Sequence, residues 1–69
     1  MSRTIDDEEF FARAYEAYRR HCRQHNLIVQ QPTAGGEIDG DTITLSNMHG
    51  ALATYRWTGT RVERVEEEL

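Results

Sequence analysis

The sequence predicts an α+β domain, with one N-terminal amphipathic helix packed on one face of a three- to four-stranded antiparallel β-meander. Three observations carry this expectation. Apolar residues recur at helical spacing from Phe10 to Cys22, and β-branched and aromatic runs follow with a period of two. Short breakers, "NMHG" and "TGT", separate those runs. At 69 residues the expectation is a single domain over 1–69, burying only roughly 60% of the surface its unfolded chain exposes.

The helix is expected over about residues 6–25. Asp6 is placed to cap it, Glu9 follows three residues on, and Ile5 and Phe10 occupy the hydrophobic staple positions. Thr4 with Asp7 is a competing cap, but it sets Arg3 and Glu8 at the staple, which favours Asp6. Asp7, Glu8 and Glu9 then meet the positive end of the helix dipole, and Arg19, Arg20 and Arg23 lie towards the negative end. Asn26 suits a left-handed C′ position, which returns Leu27 onto Cys22 in a Schellman closure. At about 100° per residue, Phe10, Phe11, Ala14, Tyr15, Ala17, Tyr18, His21, Cys22 and His25 share an arc of about 160° that faces a sheet. Arg13, Glu16, Arg19, Arg20 and Arg23 take the other side.

After Leu27 the pattern becomes that of strands. "LIVQQ" (27–31) reads as a β-branched strand stopped by Pro32, either a fourth strand of the meander or one paired across a dimer. "PTAGGEIDG" reads as a loop holding a tight Asp39-Gly40 turn. Further strands are expected at about 41–47, 51–57 and 61–66. A three-residue turn with Gly50 left-handed aligns Asn47 with Ala51, Ile43 with Tyr55 and Leu45 with Ala53, and places Trp57 on the same face. Thr42, Thr44, Thr54 and Arg56 then point the other way. A two-residue Met48-His49 turn mixes polar and apolar residues on both faces and is disfavoured. A Thr58-Gly59 turn aligns Val62 with Tyr55 on the core face and Val65 with Leu52 on the opposite face. "EEEL" reads as a frayed, solvated end.

Composition narrows the function classes. Twelve acidic residues against eight basic ones give a net charge of −4, which disfavours a protein whose main role is binding phosphate backbones. All eight basic residues are arginine. The single cysteine, Cys22, excludes an internal disulfide and points to a reducing compartment. No apolar run reaches the length of a membrane span, and the N-terminal residues lack a signal-peptide core. A cytoplasmic protein with no membrane partner is therefore expected.

Each chemistry-bearing residue has a structural reading that competes with the functional one. His21 and His25 are four residues apart on one helix face and, with His49 from the hairpin turn, suit a zinc ligand set. The glutamate that a catalytic His-Glu-x-x-His zinc site needs is replaced by Cys22, so partly buried imidazoles facing the sheet are the better expectation and no cofactor is called for. Cys22 lies late in the helix, away from its positive end, and reads as an inert core thiol, leaving no catalytic residue. Arg19, Arg23, Arg56 and Arg61 form candidate contacts to RNA or single-stranded DNA. Against this, Glu9–Arg13 and Glu16–Arg20 have the spacing of intrahelical ion pairs. The glycines match no phosphate-binding loop.

The far face of the sheet offers the leading functional reading. Leu52, Val65 and Ile28 fall there in the expected registers, beside Arg56, and a single helix leaves that face uncovered. The sequence therefore points to a non-enzymatic protein-interaction or accessory module, acting through its sheet face and edge on a protein partner or on itself. Nucleic-acid binding through arginines is the alternative, and histidine-based metal binding a third. Helix-plus-meander architecture serves many unrelated proteins, so the fold names no activity.

Overall fold

Asp6 opens the helix with both devices read from the sequence. In the computed structural model, which describes residues 4–65, α1 runs over Asp7–Gln24, and the Asp6 carboxylate accepts the Glu9 N–H at 2.8 Å. Ile5 packs against the core that holds Phe10. At the other end His25 is the C-cap, Asn26 is left-handed at φ 56°, and the Leu27 N–H reaches the Cys22 carbonyl at 2.8 Å. This is the expected Schellman closure.

Four antiparallel strands follow in the order β1–β2–β3–β4: Glu37–Asp39, Thr42–Asn47, Gly50–Trp57 and Val62–Val65. The α+β arrangement of one helix on an antiparallel meander is thus the observed architecture, with α1 lying against β2, β3 and β4. Phe10, Ala14, Tyr18 and Cys22 meet Ile43, Leu45, Ala53, Tyr55 and Trp57 in one core. Phe10 and Trp57 pack edge to face, 6.4 Å between centroids. The Trp57 indole N–H donates to Thr4 Oγ1 at 3.2 Å, tying the residues before α1 to the end of β3.

Residues 27–31 do not form a strand of the sheet within the chain and have no regular structure or ladder pairing. Leu27 is held by Cys22, the Gln30 N–H donates to the Tyr18 hydroxyl at 3.2 Å, and Pro32, which has no N–H, is buried. The edge of β2 is occupied by β1 instead, with Ile38 opposite Ile43 and Asp39 opposite Thr42, and then by the Thr33 N–H on the Ser46 carbonyl at 2.7 Å. A turn beside Asp39-Gly40 was legible, since Gly40 has φ 61° and a two-residue Gly40-Asp41 loop closes the hairpin. The strand before it was not, because three residues between glycines resemble loop.

Both later hairpins keep the expected faces with altered pairing. Ile43 opposes Tyr55 and Leu45 opposes Ala53, as expected, but Asn47 opposes Gly50 rather than Ala51. The extra residue sits not in the turn but in β3: Ser46 pairs with Ala51 and Leu45 with Ala53, so Leu52 is a bulge between them. In the second hairpin Val62 opposes Trp57 rather than Tyr55, and Val65 opposes Thr54 rather than Leu52. The Thr58 N–H and hydroxyl close onto the Arg61 carbonyl around a left-handed Gly59, moving the turn along the chain. A two-residue change of register preserves parity, so Val62 stays on the core side and Val65 on the far side. The "EEEL" end lies outside the described residues.

Candidate interaction surface

The far face of the sheet is polar. Thr44 and Thr54 share a hydroxyl hydrogen bond at 3.3 Å, Arg56 lies 3.5 Å from Glu63, and Val65 stands beside Thr54 as the aliphatic member of this face. Leu52 has left it. The bulge turns Leu52 to the helix side, where it packs against the core and lines an open groove of about 490 Å³. Ile28 is not on the far face either, because 27–31 does not join the sheet; it lines the same groove. The four expected contacts therefore divide, with Leu52 and Ile28 together at the C-terminal end of α1, and Val65 and Arg56 on the opposite side of the sheet.

That groove lies between the last turn of α1, the residues that follow it and the start of β3. Tyr18 and Cys22 form its floor, and Leu27, Ile28, Leu52 and Arg64 its walls. Its rim continues into the most exposed apolar surface among the described residues, with Leu27 at 54%, Ile28 at 86%, Val29 at 42% and Met48 at 91% exposure. The hairpin tip carrying Met48 is tied to the same segment, since the Asn47 side-chain amide donates to Gln30 Oε1 at 3.3 Å and to the Gln31 carbonyl at 3.4 Å. Burial raises the Tyr18 phenol above its ordinary 10.0, opposed by the Gln30 N–H that it accepts. Burial likewise raises Tyr55, against the pull of Arg64, whose guanidinium lies 3.5 Å from the Tyr55 hydroxyl.

The histidines do not assemble as a ligand set. His21 and His25 stack at 4.3 Å between ring centroids, while His49 sits exposed at the hairpin tip with its N–H on Asn47 Oδ1. Among the described residues no three His, Cys, Asp or Glu side chains converge as a metal site needs. His21 is half-buried, but His25 is exposed, against the expectation that both face the sheet, because the helix ends at Gln24 and His25 serves as its cap. Cys22 is 1% exposed, in the core as expected.

The arginines are dispersed and mostly paired. Arg19 lies 3.9 Å from Glu16 and over the Tyr15 ring, so Glu16 pairs with Arg19 and not with the expected Arg20. The expected Glu9–Arg13 pair is present at 2.7 Å. Arg56 and Arg61 share Glu63, at 3.5 and 3.4 Å. Of the four candidate nucleic-acid contacts, Arg23 alone has no carboxylate partner among the described residues. Arg19 and Arg23 lie on α1 and Arg56 on the far face of the sheet, so the four do not form one track.

Among the described residues no helix is long and apolar enough to cross a membrane. Comparison of the chain with protein-family models, with curated proteins and with solved structures finds no match.

Proposed function

We propose that this chain is a cytoplasmic, non-enzymatic protein-interaction module whose contact surface is the apolar seam of Leu27, Ile28, Val29 and Leu52 beside the C-terminal end of α1. The observation that carries this reading is the exposure of three consecutive aliphatic residues, Ile28 at 86%, on the rim of a groove floored by the core. Contiguous apolar surface on so small a fold favours association over leaving it wet. The reading retains Leu52 and Ile28 from the sequence-based set and drops Val65 and Arg56, whose face is lined by threonines and an ion pair. A non-catalytic role is supported by Cys22, which is only 1% exposed although it lies at the floor of the groove, the setting of an inert structural thiol. A single cysteine, which can form no internal disulfide, also suits a reducing compartment.

The test is co-purification from source cells of the tagged chain and of its Ile28→Asp variant, with Glu8→Ala as a surface control. A stoichiometric protein species, a second copy of the chain included, retained by the parent and the control but lost with Ile28→Asp is expected. An identical set of species with all three removes the proposal.

A further inference from the structure

We infer that the occupant of this seam is a second copy of the same chain, joined by antiparallel pairing of residues 27–29 about a twofold axis through Ile28. This rests on the interaction reading above and names its partner. Residues 27–31 have the composition of a strand and, within one chain, no strand to pair with. Among the described residues none hydrogen-bonds the backbone of Ile28 or Val29, so these groups are open to pairing from outside.

Three features select a second copy. The eleven residues 26–36 carry no charge in a chain that is 29% charged, so two copies align here without like-charge repulsion despite a net charge of −4 each. The two edges of the sheet, β1 and β4, carry Glu37, Asp39, Glu63 and Arg64, charges of the kind that guard an edge against pairing. A twofold arrangement also sets Ile28 against Ile28 and Leu27 against Val29, closing at two copies without propagating. The size is that of a weak dimer: exposed side chains of this kind offer on the order of 100 Å² each. Leu27, Ile28, Val29 and Met48 from two copies then fall below the roughly 1,200 Å² of stable interfaces, the size class of weak and transient association.

The experiment is sedimentation equilibrium of the purified chain from about 1 µM to 1 mM, with amide hydrogen exchange at the two extremes. The 8.0 kDa chain is expected to approach twice that mass, with protection appearing at Ile28 and Val29 as concentration rises. Ile28→Asp is expected to weaken the dimer at least about 100-fold, because symmetry places each substitution in the interface twice. Ile28 is exposed, so the variant's circular dichroism should match the parent's. A Thr54→Asp variant on the far face should leave the dimer intact. A monomer throughout the range overturns the inference, as does a dimer lost with Thr54→Asp and kept with Ile28→Asp. If the chain is monomeric yet a different protein is lost from the co-purified set with Ile28→Asp, the self-pairing fails while the interaction module stands.

Discussion

Tyr18 links the core to the segment that leaves the helix: its ring is buried, and its hydroxyl receives the Gln30 N–H at 3.2 Å. Tyr18→Phe should cost about 1 kcal/mol in urea unfolding, the net worth of one hydrogen bond, and should speed amide exchange at Gln30. The same burial sets an alkaline limit. With Tyr18 and Tyr55 raised above 10.0, the unfolded chain loses these protons first. The stability they contribute is complete below pH 10 and falls as pH rises through the higher folded values. Urea midpoints measured between about pH 9 and 12 should fall, and Tyr55→Phe should flatten that fall. Asp6→Ala tests the helix cap and should remove about 1 kcal/mol.

Elements differ in how far the sequence reveals them, for a physical reason. The boundaries of α1 depend on residues at most five apart, Asp6 with Glu9 and Cys22 with Leu27, so both ends were legible. Core faces of the strands were legible because alternation fixes parity, and parity survived two changes of pairing at Val62 and Val65. The location of the bulge was not legible. An extra residue at Gly50 or at Leu52 leaves Ile43 and Leu45 paired alike, yet only the second carries Leu52 to the helix side and so into the candidate surface. That 27–31 does not join the meander as its fourth strand was not legible, because it depends on whether a sheet edge is vacant, and the edge of β2 is taken by Glu37–Asp39. That edge depends on Gly36. At φ 59° any Cβ there is strained, and it would lie 3.1 Å from the Thr44 carbonyl oxygen and 3.2 Å from Ile43 Cγ1. Gly36→Ala should lose more than about 1 kcal/mol. Gly35→Ala, left-handed but with open space around it, should lose less in parallel urea titrations.

For the whole molecule, small size makes each core side chain a large share of the total. Leu45 is fully buried, so Leu45→Ala should cost about 2–5 kcal/mol, against roughly 3–10 kcal/mol for a chain of this length. Calorimetry of that variant should show a strongly lowered or missing transition. Self-pairing adds a second signature, since a ligand that binds only the folded state makes the melting temperature rise with protein concentration, and Ile28→Asp should abolish that rise. The chain also carries its own optical reporter. Trp57 is the only indole, set against Phe10 and hydrogen-bonded to Thr4, 53 positions away in the chain. Its fluorescence therefore senses whether the start of the chain's helical layer rests on the end of β3, so that a red-shifted emission band marks the parting of the two layers.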